Sequence, residues 1–365
     1  MHSNGTDVIP TVDLSAFTSG GDVQSREQAA TELARCCRPH GCVAVTGHGV
    51  PSALLKEAFD MSKKLFDLPL EEKMKAPHPD AFRPHRGYSA IGRERGAAKG
   101  AMDTKDEKRK EELKRVTDYK VGNHLDLAVM ESYEIGSEEN PFEQHNIWLP
   151  ADVLPGFRRL TTELFWRLRD TSMAILDALI MSLGLSEEEA VYVRSIHSGH
   201  NNQLRLLHYP PIPTEVLENK DLSRLGEHKD FSSFTLLFQD THGGLEFANC
   251  ETGGFMQATP KPDTVYINIG DISRSLTLRE RLPSGFYPAA THRVTIPGRE
   301  SSSTDGGTEV TSARYSIPYF VGPDYDGVIA PQQSLVLAHQ KSLYEPTTYR
   351  NFSEKMFKAT LNSDS

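Results

Sequence analysis

Long apolar runs are missing from this chain. No stretch approaches the roughly 20 apolar residues that a bilayer-spanning helix needs, and the opening residues, MHSNGTDVIP, lack the apolar centre of a secretion signal. Neither membrane insertion nor secretion is expected, and the cytoplasm is the expected location. Positive charge is also in deficit. With 40 Lys and Arg against 50 Asp and Glu, the formal net charge is -10, which speaks against nucleic acid or an anionic lipid surface as the main partner. Cysteine is scarce too: Cys36, Cys37, Cys42 and Cys250 are the only four. None falls in a C-x-x-C spacing, so zinc-finger or dithiol redox chemistry is not expected, and the four read as reduced and mostly buried. No sequence feature calls for an obligate protein partner.

What is present divides into two textures. Up to about residue 200 helical spacing dominates. Ser25 with Gln28 reads as a capping box opening a helix that runs toward Cys37. Leu55, Ala58, Phe59, Ser62, Leu65 and Phe66 recur at helical intervals after Pro51-Ser52, and a long helix is predicted from Leu154 to Leu183, ended by Gly184. A short strand is expected through Val43 and Val45. From Asp103 to Arg115, DTKDEKRKEELKR is nearly all charge of mixed sign and reads as a solvated segment. After about Asn201 short alternating runs are separated by Gly, Pro and Asp, as in a jelly roll. The expected fold is mainly β with α. Its organisation is an N-terminal α/β region over residues 1–200, a jelly-roll (double-stranded β-helix) core over 201–330 and a helical tail over 331–365, in one compact unit.

The chemistry concentrates in Gly226 to Gln239, GEHKDFSSFTLLFQ. Residues i and i+2 of a strand share a face, so His228 and Asp230 read as two metal ligands on one strand. A third ligand must come from elsewhere, and His292, ahead of β-branched residues in Thr291-His292-Arg293-Val294, is the best candidate. Two histidines and one carboxylate on one face of an octahedron bind non-haem Fe(II) and leave positions open. His78-Pro79-Asp80 and His124-Leu125-Asp126 have the same spelling without strand context, and read as structural. Further on, Arg314 and Ser316 share a face in Ala313 to Phe320, where a guanidinium fork and a hydroxyl suit a carboxylate.

In that order the motifs resemble the iron(II)- and 2-oxoglutarate-dependent oxygenases, in particular the isopenicillin N synthase-like branch. The likeness extends over nearly the whole chain, through Ile9-Pro10-Thr11-Val12-Asp13-Leu14, the Gly41 to Val50 run, Leu65-Phe66-Asp67-Leu68-Pro69, Arg86-Gly87-Tyr88, Leu204 to Pro211 and Asn268-Ile269-Gly270-Asp271. It implies that His228, Asp230 and His292 bind Fe(II), and that Arg314, Ser316 and Tyr209 hold 2-oxoglutarate. With O2, the cosubstrate would be converted to succinate and CO2 as a C–H bond of a small organic molecule is hydroxylated, desaturated or cyclised, as in specialised metabolism.

Departures from the pattern stand beside the match. Leu207 occupies a place where many plant members of the family have asparagine, so one polar contact to the cosubstrate is expected to be absent. Gly298 to Ser312, GRESSSTDGGTEVTS, reads as a flexible surface loop. Phe320 and Arg205 stand where family counterparts face the substrate, whose identity no residue selects. The alternatives are an iron oxidase that keeps the triad and the Arg-x-Ser pair without using 2-oxoglutarate, and a jelly-roll binding protein with a dead site.

Overall fold

The computed structural model describes residues 8–79, 85–91, 130–141, 145–211, 224–276, 287–295, 302–305, 308–335 and 345–361. The charged segment 103–115 and the His124-Leu125-Asp126 triplet lie outside the described residues.

In chain order the strands that build the site are β1 (Thr11–Asp13), β2 (Cys42–Thr46), β3 (Gly87–Ser89), β4 (Glu131–Gly136), β5 (Gln203–Tyr209), β6 (Leu225–His228), β7 (Phe234–Gln239), β8 (Leu245–Ala248), β9 (Phe255–Gln257), β10 (Val265–Ile269), β11 (His292–Val294), β12 (Ser302–Asp305), β13 (Thr308–Thr311) and β14 (Arg314–Val321). Eight of them form one sheet in the order β1-β2-β10-β7-β14-β5-β4-β3, and four form a second, β6-β11-β8-β9. The jelly-roll core is thus present as two facing sheets, and β1 to β4 of the N-terminal region extend the larger one.

Strand alternation gives the larger sheet two different faces. Val43, Val45, Leu204, Leu206, Leu236, Phe238, Ile267 and Ile317 are buried on one face with Leu33, Leu54, Leu164 and Leu168 of the helices. Each such side chain contributes ~1.5–3 kcal/mol of burial. The helix behind this face is Phe157–Leu183, whose thirteen buried residues form the stripe that its spacing predicts, and Gly184 ends it in the left-handed region at φ 64°. On the other face Ala44, Leu207, Tyr209, Leu237 and Tyr266 meet Leu245, Phe247, Met256 and Val294 of the smaller sheet. This second core is the floor of the site.

Local expectations needed adjusting at element ends. The first long helix is Val23–Cys37, and its cap is Asp22, whose carboxylate accepts from Ser25 N at 2.8 Å, so Ser25 lies inside the helix instead of capping it. Asp22 is the stronger acceptor for an orphan N–H at a positive helix end. The long helix starts at Phe157, three residues later than predicted, because Gly156 adopts a left-handed φ of 82°. The segment expected as a loop over 298–312 contains the hairpin of β12 and β13, paired from Ser302 with Thr311 to Asp305 with Thr308. Its serines and threonines misled the reading, since Thr is at home in strands.

Candidate active site

Both expected histidines arrive by strand pairing. β6 and β11 are antiparallel neighbours, and His292 is the direct cross-strand partner of His228. Their rings lie 4.1 Å apart between centroids. Asp230 differs from the expectation: β6 ends at His228, so the carboxylate comes from the loop after the strand and not from its face. That loop is pinned to the residues that follow β10, where Asp271 N donates to Asp230 O at 2.9 Å and Gly270 N to Ser233 O at 2.9 Å. A Cβ at Gly270 would stand 2.0 Å from Ser232 O, so only glycine permits this approach.

The three side chains are arranged so that one atom of each is committed elsewhere and the other converges. His228 Nδ1 lies 2.9 Å from Gly226 O and His292 Nδ1 lies 3.1 Å from Ala290 O. Each Nδ1 then donates to a carbonyl, and each Nε2 is the ring atom left to meet a metal. Asp230 Oδ2 accepts from Thr235 Oγ1 at 2.6 Å and Asn268 Nδ2 at 2.7 Å. Oδ1 is left 3.8 Å from His228 Nε2 and 3.7 Å from His292 Nε2. Three donor atoms within 4.8 Å of one another, two imidazole nitrogens and one carboxylate oxygen, fit a divalent transition metal of the iron type with positions to spare. Burial works to raise the Asp230 carboxyl, but His292, His228, Thr235 and Asn268 outweigh it and hold it below its ordinary range.

A second polar group lies along the same face. Arg314 is the cross-strand partner of Tyr209, and Ser316 faces Leu207 on one side and Gln239 on the other. The Arg314 guanidinium is fully buried. It donates Nε to Gly243 O at 2.6 Å, Nη1 to Ser316 Oγ at 3.1 Å and Nη2 to Gln239 Oε1 at 3.2 Å, with its carbon 5.0 Å from the Tyr209 ring centroid. The predicted trio is therefore together, and Gln239 joins it unannounced. Leu207 packs into the apolar floor, so at its position no side-chain hydrogen bond to a cosubstrate is available.

Phe320 and Arg205 occupy the same face by alternation. Phe320 is half-buried and pairs across the sheet with Thr235, the residue that holds Asp230. Arg205 donates to Ser132 Oγ at 3.1 Å and lies 3.1 Å from Glu134 Oε1. Burial pushes its pKa down to about 10. Sequence reasoning missed Glu134, which is 2 % exposed, accepts from Gln203 Nε2 at 2.8 Å and lies 3.4 Å from His85 Nδ1. His78, expected to be structural, stacks edge-on against His85 there. These two histidines and Glu134 are also close enough to hold an ion. Both oxygens of that carboxylate are already engaged, however, and buried Arg86 adds positive charge, so the group reads as a hydrogen-bonded wall. Asn268 and Thr235 were missed as well, although an asparagine inside the otherwise apolar Val265–Ile269 strand was a visible signal.

Comparison with known proteins agrees with this geometry. Residues 9–151 match the family described as non-haem dioxygenase in morphine synthesis N-terminal, and residues 200–323 match the 2OG-Fe(II) oxygenase superfamily. The chain is 31% identical over 327 residues to the 2-oxoglutarate-dependent dioxygenase frbA of Dothideomycetidae sp. (strain 11243), covering 88% of this chain and 87% of that protein. It is 32% identical over 310 residues to the proline hydroxylase buaE of Petromyces alliaceus, covering 83% and 84%. Among solved structures, that of a full-length Neurospora crassa protein in complex with alpha-KG and thymine is 28% identical with a TM-score of 0.77, over 98% of each chain. The chain belongs to the 2OG-Fe(II) oxygenase superfamily and is an Fe(II)- and 2-oxoglutarate-dependent dioxygenase.

Proposed function

We propose that His228, Asp230 and His292 hold the iron, that Arg314, Ser316 and Tyr209 hold the far carboxylate of 2-oxoglutarate, and that a small polar molecule is oxidised at a C–H bond above Phe320. The observation that carries this reading is the division of labour within the triad. Asp230 Oδ2 and both Nδ1 atoms are bound to the protein, while Oδ1 and both Nε2 atoms converge within 4.8 Å.

Bound iron with 2-oxoglutarate and O2 supplies the oxidising power, releasing succinate and CO2 as the substrate is oxidised. The chain's own residues set the geometry. Thr235 and Asn268 fix the carboxylate rotamer, Gly226 and Ala290 fix the imidazole tautomers, and the Leu237, Phe247 and Tyr266 floor excludes water beneath them. Phe320 supplies an apolar contact beside the metal ligands. Arg205, with Glu134 and Gln203 behind it, offers a cation to a carboxylate or amide oxygen of the substrate.

An amino acid or a molecule with comparable paired donors and acceptors suits that wall, and the likenesses to a proline hydroxylase and to a structure holding thymine support such a substrate. The N-terminal region, the jelly-roll core and the C-terminal tail are proposed to work as one unit. No helix among the described residues is long and apolar enough to cross a membrane, and a cytoplasmic location remains our proposal.

The test is 2-oxoglutarate consumption by the iron-loaded enzyme against a panel of amino acids, nucleobases and apolar terpenes. Stimulation confined to polar members and lost in Arg205→Met supports the assignment. Stimulation by apolar members that survives Arg205→Met refutes it. Asp230→Ala must abolish turnover with the fold retained; an active variant would remove Asp230 from the metal.

A further inference from the structure

Arg224 sits immediately before β6, the strand that ends in His228, and is 1 % exposed. Its Nη2 donates to Ser312 O at 2.5 Å and Thr311 Oγ1 at 3.1 Å. Nε and Nη1 are buried and have no acceptor among the described residues. The guanidinium carbon lies 6.0 Å from the centroid of the Tyr209 ring, the ring from which the Arg314 carbon lies 5.0 Å. Two buried cations are therefore gathered round one tyrosine.

Their situations are not alike. Arg314 has Nε, Nη1 and Nη2 each on an acceptor. Arg224 has two idle nitrogens in a place where unsatisfied donors are costly. Burial, and next the charge of Arg314, push its pKa down to about 10. Asp240 is the nearby acid whose charge reaches both arginines. It is spoken for, since Oδ2 accepts from Tyr315 N at 2.6 Å and Oδ1 from His242 N at 2.9 Å. Repulsion between the arginines and the idle donors of one of them are relieved together by an anion arriving at Tyr209. Sharing the Tyr209 ring with Arg314 sets Arg224 beside the end of a bound keto diacid that Arg314 is proposed to hold, the end remote from the metal.

We infer that Arg224 is a second guanidinium of the cosubstrate site, donating Nε and Nη1 to the distal carboxylate of 2-oxoglutarate that Arg314 and Ser316 also hold. The inference rests on the cosubstrate reading given above. Because Arg224 is tied to Thr311 and Ser312, the bound carboxylate links the start of β6 to the segment that leads into β14.

The experiment is calorimetric titration of the Mn(II)-loaded, full-length protein with 2-oxoglutarate and with 2-oxopentanoate, in which a methyl group replaces the distal carboxylate. Wild type, R224M and R224K are compared, and Mn(II) affinity reports on an intact fold. Wild type binds 2-oxoglutarate at least about tenfold more tightly than 2-oxopentanoate, and R224M loses about tenfold or more for 2-oxoglutarate alone, as expected for a charge-assisted pair. If wild type discriminates and R224M binds 2-oxoglutarate equally well, Arg224 is excluded while the cosubstrate reading stands. If wild type does not discriminate, that reading fails and takes the inference with it. Should R224M not fold, R224K decides: a loss confined to 2-oxoglutarate supports the second guanidinium, and wild-type affinity overturns it.

Discussion

Asn268→Ala isolates what the protein adds to a metal site beyond its ligands. Asn268 is fully buried on β10, 38 residues from Asp230 in the chain, and donates to Asp230 Oδ2 at 2.7 Å. A hydrogen bond to a charged group contributes about 1.5–3 kcal/mol, and loss of a residue that orients a ligand typically costs 10–100-fold in metal affinity, or ~1.4–2.8 kcal/mol. The two ranges agree, so an Fe(II) affinity about 10–100-fold weaker is expected. Folding should suffer less, because the substitution also removes Asn268 Oδ1, a buried acceptor with no partner among the described residues. Thr235→Val acts on the same oxygen from 2.6 Å. The double variant should therefore lose less than the two single losses summed. Anaerobic competition titration with a chelator of known affinity reads the effect directly. An Fe(II) affinity within twofold of wild type in Asn268→Ala, with unchanged stability, would refute the claim that Oδ2 must be tied back for Oδ1 to bind.

Three further outcomes are expected. Gly270→Ala places a Cβ 2.0 Å from Ser232 O; because backbone must move, we expect a loss of about 2–4 kcal/mol in urea unfolding together with weaker metal binding, and near-wild-type values for both would show that the loop is not pinned there. Lys73 and Glu131 form a buried pair at 2.7 Å that also receives Tyr88 and His208; Lys73→Met should cost about 3–5 kcal/mol by leaving the carboxylate uncompensated, and adding Glu131→Gln should restore much of it, so a fully additive double variant would contradict the pairing. Glu189, bonded to Ser334 and Ser186, has its pKa lowered to about 2 against the opposing effect of burial; its stabilisation is then complete above the unfolded value of roughly 4.3 and lost as pH falls toward the folded one, so the protection factor of the Ser334 amide, taken against the intrinsic exchange rate at each pH, should fall at acid pH in wild type and stay constant in Glu189→Gln.

Much of this site was legible because strands carry local information. Arg314 and Ser316 could be placed on one face by period two, and Tyr209 proved to be the register partner of Arg314. His228 and His292 were singled out from residue type and order, and cross-strand pairing brings them together. The same period-two logic misplaced Asp230, because strand pairing ends at His228 and the loop after it is shaped by Gly270, Thr235 and Asn268, none of them adjacent in sequence. Arg224, Glu134 and Gln203 were illegible for a related reason. A lone charged residue in a polar stretch reads as solvent-facing, and only the folding of β4 against β5 or of β6 beside residues 311–312 buries it. Helix ends followed the rule that the stronger cap wins, with Asp22 displacing Ser25.

The converging Nε2, Oδ1 and Nε2 atoms are proposed to hold iron while the Arg314 cradle fixes the cosubstrate on it. The most direct measurement is anaerobic: Fe(II) and then 2-oxoglutarate are added to the metal-free protein, and the visible charge-transfer band of the iron–keto acid chelate is followed. A band is expected that appears in wild type, vanishes in His228→Ala and needs much more 2-oxoglutarate in Arg314→Gln. Iron binding without the band, or a band indifferent to His228, would contradict it.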